Sequence, residues 1–191
     1  MKVMLLCGYR TCEESETGLG LSRDENGVTL IDQRIRQLGE LGLEVLTVLA
    51  GQGADEQLRA CHHIQEAEIA CDNNSQLSLL SNVKAGAEIL ADEAFLLLPL
   101  EIPFPPQVLW KFLINEHGKA GFNTPSGVIQ AIDSEQGAPK YFGFPLLVTR
   151  QGTRLLQDDS VQLTDLTDAR LKYHQPVYSE EASLAHPQKP L

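Results

Sequence analysis

The fold is decided by the stretch FLLLPLEIPFP at residues 95–105. Its apolar run is shorter than an ordinary helix and ends in a series of prolines, which is typical of a central strand in a parallel sheet that helices cover on both faces. Glu101 then follows the carboxyl end of this strand. Ligands of open α/β sheets bind at that edge, because the covering helices leave a crevice beyond the strand ends. The alternative is that Glu101 begins an exposed loop without a functional role.

The composition is that of an ordinary globular protein. The 191 residues are 42% hydrophobic and 21% charged, which suits one domain over residues 1–191. The formal net charge of −11 repels a phosphate backbone and an anionic membrane surface, so we expect neither nucleic acid nor a membrane as a partner. Residues 1–7 are too short for a signal-peptide core and no apolar run reaches bilayer length, so we expect a cytoplasmic protein.

The cysteines are spread through the chain without the C-x-x-C spacing of a zinc site or a redox motif. One local cluster, Cys61-His62-His63, has metal-ligand chemistry. Adjacent side chains on a helix point about 100° apart and seldom share one metal ion. The cluster therefore predicts a helix end rather than a metal site. The cysteines are Cys7, Cys12, Cys61 and Cys71.

Strand and helix patterns alternate from residue 2 to residue 100. The clearest helix begins near Val28, where Thr29-x-x-Asp32 predicts a capping box and Gly42 predicts the end. The alternation predicts an α/β fold of three layers, α/β/α, with a mainly parallel (mixed) sheet. The predicted strands are 2–7, 43–49, 67–71, 95–100, 127–133 and 141–149, and the predicted helices are 28–41, 55–62, 76–91, one that starts at Pro106, and 153–157.

A long loop at residues 8–27 separates the first strand from this helix. It contains glycines and charged side chains but no helical or strand period, and such a loop inside a compact domain is usually functional or disordered. Glycine at this position lets backbone N–H groups approach a phosphate. Neither G-x-x-x-x-G-K-[ST] nor G-x-G-x-x-G occurs there, so the P-loop and dinucleotide signatures do not apply. We expect residues 9–26 to be the most mobile internal segment.

Several segments come in the order found in one enzyme family. They are LLCG at 5–8, GLGLSR at 18–23, LLSNVKAG at 79–86 and LPLEIPF at 98–104. In this order the chain resembles the nucleotidyltransferases, within them the molybdenum-cofactor guanylyl- and cytidylyltransferase group. The resemblance covers residues 1–157 and implies a nucleotide-diphospho-sugar-transferase-like fold. It also implies a nucleotide-binding half at 1–105 and an acceptor-side half at 106–157. The tail at 158–191 has weaker patterns, and we expect its proline-bearing part, residues 175–191, to be partly disordered or to dock on a neighbour.

The resemblance implies a reaction and a site. An oxygen of a phosphorylated cofactor precursor or sugar would attack the α-phosphorus of a nucleoside triphosphate, and pyrophosphate would leave. Glu101 would hold a Mg²⁺ ion and Arg23 would neutralise the triphosphate, which makes these two the catalytic residues. The nucleotide would bind at Gly8, Arg10, Gly18, Gly20 and Asp72.

The chain also departs from the family pattern. Tyr9 stands where relatives have a second glycine, Arg23 where they have a lysine, and Glu101 where they have an aspartate. Both charged replacements keep the sign of the charge. A second hypothesis is therefore a catalytically inactive relative that serves as a nucleotide-binding or protein-interaction module. A third, a glycosyltransferase, normally needs a D-x-D pair where this chain has only Glu101.

Overall fold

The computed structural model describes part of the chain, and several predicted site residues lie outside that part: Gly8, Arg10, Gly18, Gly20 and Glu101. Residues 8–20, which make up most of the loop predicted to be mobile, and the tail 158–191 also lie outside it. The described residues are 1–7, 21–50, 59–63, 67–72, 79–100, 102–120, 128–129, 132–133, 140–141 and 144–157.

The chain forms two compact units. The first comprises Met1–Ile89 with Leu98–Ile102, and the second comprises Leu90–Leu97 with Pro103–Leu191. One strand, β4 (Phe95–Pro99), contributes residues to both units. This is the strand that the apolar run at residues 95–100 predicts.

The first unit contains the parallel part of the sheet. Its other strands are β1 (Lys2–Cys7), β2 (Glu44–Ala50) and β3 (Glu68–Asp72), in the order β3-β2-β1-β4. β1 and β2 are parallel, and so are β2 and β3. The helices α1 (Leu30–Glu40) and α2 (Leu79–Leu90) follow β1 and β3 in the chain. The predicted parallel sheet is confirmed, and each of these strands ends within one residue of its predicted bounds.

The second unit contains antiparallel strands. Its elements are α3 (Gln107–Ala120), β5 (Val128–Ile129), β6 (Ile132–Asp133), β7 (Lys140–Tyr141), β8 (Leu146–Val148) and α4 (Arg150–Leu156). β8 runs antiparallel to both β4 and β5, whereas β6 and β7 form a separate pair. Within the residues that the structure describes, the predicted strand 127–133 contains β5 and β6, which pair with different partners, and the predicted strand 141–149 contains β8 and the end of β7. The predicted α/β class with a mixed, mainly parallel sheet is confirmed.

Burial explains why the two middle strands have continuous apolar sequences. Every residue from Val3 to Cys7 and from Phe95 to Pro99 is buried. Neither strand therefore has a solvent-exposed face on which polar side chains would be favoured. α1 instead buries one stripe, formed by Ile31, Ile35 and Leu38. Among the described residues, no helix combines the length and the apolar character needed to cross a membrane.

Gly86 allows α2 to approach the sheet closely. A Cβ atom built on Gly86 would lie 2.6 Å from Met4 Cε and 2.8 Å from Val48 Cγ2. The methionine terminus can move aside, but the short valine branch cannot move without the strand. Glycine is therefore required at this helical position by packing.

We expect Gly86→Ala to lower the free energy of unfolding by about 1–3 kcal/mol, because the added methyl group overpacks the contact with Val48. Gly39→Ala is the matched control, since Gly39 lies in α1 and a Cβ there meets nothing within 4 Å. Alanine should stabilise that helix by about 0.5–1 kcal/mol. Urea denaturation measures both changes, and a stabilising effect at both positions would refute the close approach.

Candidate functional site

The carboxyl ends of β1 and β4 lie side by side. The backbone N–H of Leu100 donates a hydrogen bond of 2.9 Å to the carbonyl of Leu6. Leu6 is followed by Cys7 and then by Gly8, and Leu100 is followed by Glu101. The two segments that the resemblance assigns to phosphate and to metal therefore continue from adjacent strand ends.

Asp72 ends β3 at the same edge of the sheet. Its partner across the ladder is Ala50, the last residue of β2. Because β1, β2 and β3 are parallel, their carboxyl ends form one edge. The backbone position of Asp72 agrees with the predicted nucleoside contact, while its side chain lies outside the described residues and the contact stays a prediction.

Residues 22–30 form an ordered turn at the end of the predicted loop. Arg23 pairs with Thr29 across an antiparallel bridge, and Asp24 N–H donates to Val28 O at 3.0 Å. Gly27 has a φ of +77°, a conformation that glycine adopts without strain. The Asp24 carboxylate also accepts the N–H of Val28 at 2.9 Å. Backbone and Asp24 hydrogen bonds close this turn, and they require no alternation of apolar and polar side chains. The sequence therefore shows no strand period here and predicts an irregular loop.

Arg23 lies on this turn and is exposed. Its guanidinium donates to the carbonyl of Gly27 at 2.5 Å and to the carbonyl of Ala60 at 3.4 Å. Both acceptors are neutral, so these bonds orient the guanidinium without cancelling its charge. The predicted contact between Arg23 and a triphosphate stays a prediction.

Asp32 is a fully buried carboxylate that ties α1 to residues 59–63. It accepts the Thr29 hydroxyl at 2.9 Å and the backbone N–H groups of His62 and His63 at 3.0 and 2.6 Å. Thr29 caps α1 as predicted, because its side chain accepts the N–H of Asp32. The carboxylate, however, reaches a distant segment, a contact that the local capping-box pattern does not predict.

The Cys61-His62-His63 cluster is part of this tie. Cys61 Sγ lies 3.4 Å from Thr29 Oγ1, and burial raises the pKa of the Cys61 thiol. Among the described residues, no group of three or more His, Cys, Asp or Glu side chains could hold a metal ion. Helical backbone is described only at residues 59–60, so the chain has left the helix before Cys61.

Asn82 is a candidate binding residue that the sequence reasoning missed. It is fully buried in α2, and neither its Nδ2 nor its Oδ1 has a hydrogen-bond partner within the part of the chain that the structure describes. An unpaired buried polar group costs about 1–3 kcal/mol, so it needs an explanation. In the sequence, Asn82 could have been recognised as a single polar residue on the apolar face of the predicted helix 76–91.

Asn82 lies on the side of α2 that is nearer to the carboxyl ends of the parallel strands. It lies one helical turn before Gly86, whose backbone packs on Met4 and Val48. Since α2 follows the parallel strand β3, its first turn faces the carboxyl edge of the sheet. The unpaired amide is therefore displaced from the Gly86 contact towards that edge.

No protein-family model matches the chain, and no curated protein matches it. Solved structures do match. Molybdopterin-guanine dinucleotide biosynthesis protein A from Archaeoglobus fulgidus has a TM-score of 0.61 at 15% identity, and the match covers 93% of this chain and 84% of that chain. The 4-diphosphocytidyl-2C-methyl-D-erythritol synthase from Anaerococcus prevotii has a TM-score of 0.64 at 11% identity, covering 98% and 92%. A nucleotidyl transferase from Methanothermobacter has a TM-score of 0.59 at 16% identity, covering 87% and 82%.

The chain has the fold of nucleotidyltransferases. The predicted nucleotide-diphospho-sugar-transferase-like fold is thereby confirmed. At identities of 11 to 16%, the likeness establishes the fold and leaves the chemistry to be argued from the residues at the carboxyl edge.

We expect Asp32→Asn to lower the free energy of unfolding by roughly 2–3 kcal/mol at neutral pH, because the amide removes the charge and one acceptor oxygen from the buried N–H groups. Asp24→Asn is the control: an asparagine oxygen can still accept within that exposed turn, so the change should stay within about 0.5 kcal/mol. Chemical denaturation at pH 7 measures both.

The effect of Asp32 should also depend on pH. Burial raises its pKa, but the hydrogen bonds from His62, His63 and Thr29 outweigh burial and lower the pKa below the ordinary value of 3.8. The stabilisation is therefore present above about pH 4 and is lost as the pH falls through the folded-state pKa. The difference between wild type and Asp32→Asn should shrink in acid, and a difference that grows below pH 4 would contradict this assignment.

Proposed function

We propose that the protein is a nucleotidyltransferase that transfers a nucleotidyl group from a nucleoside triphosphate to a small phosphorylated acceptor and releases pyrophosphate. The observation that supports this most directly is the hydrogen bond between Leu100 and Leu6. It makes neighbours of the segment after β1 and the segment after β4, and these are the segments in which the resemblance puts the phosphate-binding glycines and the metal-binding carboxylate.

The similar structures support the same reaction class. One of them is named a nucleotidyl transferase, and two others are named for the synthesis of a guanine dinucleotide and of a diphosphocytidyl compound. For this chain we propose an acceptor that is a phosphorylated cofactor precursor or sugar, with molybdenum-cofactor synthesis as the process. The net charge of −11 argues against nucleic acid as the acceptor, and a cytoplasmic location remains our expectation.

The reaction requires in-line geometry and compensation of charge. An acceptor oxygen forms a bond to the α-phosphorus while the bond to the pyrophosphate oxygen breaks. Arg23 is suited to bind the triphosphate, because its guanidinium is exposed and held by two neutral carbonyls. Backbone N–H groups at Gly8, Gly18 and Gly20 would bind further phosphate oxygens.

Glu101 would hold the divalent metal, which we propose is Mg²⁺. Its carboxylate is a hard oxygen ligand, and Mg²⁺ usually keeps several waters and takes one or two protein carboxylates. When bound, the ion offsets negative charge on the phosphate oxygens.

We assign Asn82 to the nucleotide as well. Its amide offers a donor and an acceptor side by side, which complements the edge of a nucleobase. A base that bound there would satisfy both of its unpaired polar atoms. The protein without nucleotide would then bear the cost of the buried amide, and nucleotide binding would remove it.

The main test of the function compares wild type with Glu101→Gln in a pyrophosphate-release assay over the four common triphosphates, with Mg²⁺ or Mn²⁺ and candidate phosphorylated acceptors. We expect turnover to fall by a factor on the order of 10² or more, because glutamine keeps the shape but removes the charged ligand. Stability without nucleotide should change little. Background release from both proteins, without calorimetric binding of any triphosphate, would leave the inactive interaction module as the function.

The test of Asn82 uses a leucine, which has nearly the same shape without the polar atoms. Asn82→Leu should leave the protein without nucleotide equally stable or more stable, and weaken nucleotide binding by roughly tenfold or more. Thr47→Val is the matched control, since Thr47 is also fully buried with a hydroxyl that has no partner among the described residues. It lies next to Val48 and so faces away from α2. Equal nucleotide affinity in wild type and Asn82→Leu would remove Asn82 from the site.

A further inference from the structure

Three segments meet at the start of α1: the turn at residues 22–30, the helix itself and residues 59–63. Thr29 belongs to the first two, since its backbone pairs with Arg23 across the turn and its side chain caps the helix. Its hydroxyl oxygen also lies 3.4 Å from Cys61 Sγ, in the third segment. One residue therefore contacts all three parts of this junction.

The Asp32 carboxylate holds residues 59–63 against α1. Its Oδ2 accepts the backbone N–H of His62 at 3.0 Å and the Thr29 hydroxyl at 2.9 Å, and its Oδ1 accepts the backbone N–H of His63 at 2.6 Å. Hydrogen bonds from two consecutive N–H groups to one carboxylate are charge-assisted, and together they set the direction of the backbone as well as its distance. The third segment is thus held at two points by one side chain.

The same segment holds the side chain of Arg23. The Arg23 Nη2 donates to the carbonyl of Ala60 at 3.4 Å, and its Nη1 donates to the carbonyl of Gly27 at 2.5 Å. Ala60 comes two residues before His62, whose N–H is bound by Asp32. A guanidinium has five N–H donors in one plane, so two carbonyls can fix this plane without using all of the donors.

We infer that Asp32 is a positioning residue for Arg23: by holding residues 59–63 against α1, it keeps the Ala60 carbonyl where it orients the guanidinium for an anionic ligand. The proposed function identifies this ligand as the triphosphate, and the inference rests on the proposed function for that identity alone. Asp32 itself is buried and acts only through the backbone that it binds. A misplaced guanidinium loses the alignment of its donors with phosphate oxygens, so binding weakens although the charge is still present.

The first arm of the test measures the position of Arg23 without any ligand. In Asp32→Asn one buried N–H group faces an amide nitrogen, so the exchange of the His62 and His63 amide hydrogens should rise by about tenfold or more. The order parameter of the Arg23 Nε–Hε bond from NMR relaxation should fall in the same protein, while that of the exposed Arg36 should not change. An Arg23 order parameter equal to that of wild type overturns the inference.

The second arm measures anion binding by calorimetry, with inorganic tripolyphosphate as the probe. Arg23→Ala should weaken binding by about tenfold, and Asp32→Asn by about three- to tenfold. In the Arg23→Ala background, Asp32→Asn should still lower the melting temperature but should have little further effect on the affinity, since both changes then act through one guanidinium. Unchanged affinity in Asp32→Asn, or losses of affinity that multiply in the double variant, overturn the inference.

Leu38→Ala is the control for stability. Leu38 is fully buried near the end of α1 and makes no contact with the junction at the start of the helix. Removing its side chain should lower the melting temperature at least as much as Asp32→Asn does, and the affinity for tripolyphosphate should stay at the wild-type value. If Leu38→Ala loses as much affinity as Asp32→Asn, stability alone controls binding and the inference is wrong.

The pyrophosphate-release assay separates this inference from the proposed function. Asp32→Asn should raise the KM for the triphosphate by about three- to tenfold with a smaller change in kcat. If wild type releases pyrophosphate and Asp32→Asn has the wild-type KM, the inference fails and the function stands. If tripolyphosphate binding depends on Asp32 through Arg23 but wild type releases no pyrophosphate from any triphosphate, the proposed function fails and the inference stands for an anion site.

Discussion

The structure depends on burying β1 and β4 on both faces. No water reaches either strand from Val3 to Cys7 or from Phe95 to Pro99, so every backbone N–H and C=O in them has to find a partner in the ladder. The hydrogen bond between Leu100 and Leu6 continues this pairing past the last residue of β4. Polar side chains are excluded from the strands themselves and can begin only where the strands end. In a fold of this kind the functional polar residues lie at the carboxyl edge of the sheet, because polar side chains without partners would destabilise the strands that are buried on both faces.

Two buried polar side chains meet this constraint in opposite ways. The Asp32 carboxylate is fully buried and receives the Thr29 hydroxyl and two backbone N–H groups, which is the arrangement of a structural tie. The Asn82 amide is equally buried and has no partner for either polar atom in the described part of the chain. A group that serves stability alone is normally satisfied in the folded state, whereas a group that serves binding is satisfied when its ligand arrives. Thr47 Oγ1 is likewise buried without a partner among the described residues, so the unpaired amide supports the role proposed for Asn82 only together with its place in the first turn of α2.

Patterns that depend on neighbouring residues predicted the fold well. The apolar run at β4, the threonine cap of α1 and the mainly parallel sheet follow from local chemistry and from burial on one or two faces. Contacts between distant segments could not be read in this way: the bond from Arg23 to Ala60 and the bond from Arg34 to Ile102 span 37 and 68 residues. A charged residue on a helix is most often solvated, so the sequence predicts an exposed side chain for Arg34 and no long-range contact. Asn82 left a weak signal as a lone polar residue on an apolar face, but such a residue is usually satisfied within the core.

The low identity to structures with the same fold has a physical reason. Burial on both faces requires an apolar side chain at each position of β1 and β4, but several apolar residues of similar volume satisfy this requirement. The strands can therefore differ in sequence while the fold is kept. The edge residues are constrained differently, because a phosphate needs a cation or backbone N–H groups and a divalent metal needs an oxygen ligand. In this chain the departures from the family pattern at Arg23 and Glu101 preserve the sign of the charge while changing the length and shape of the side chain. The backbone that leads away from this edge has contacts of its own, since Arg34 of α1 donates a hydrogen bond to the carbonyl of Ile102 after β4.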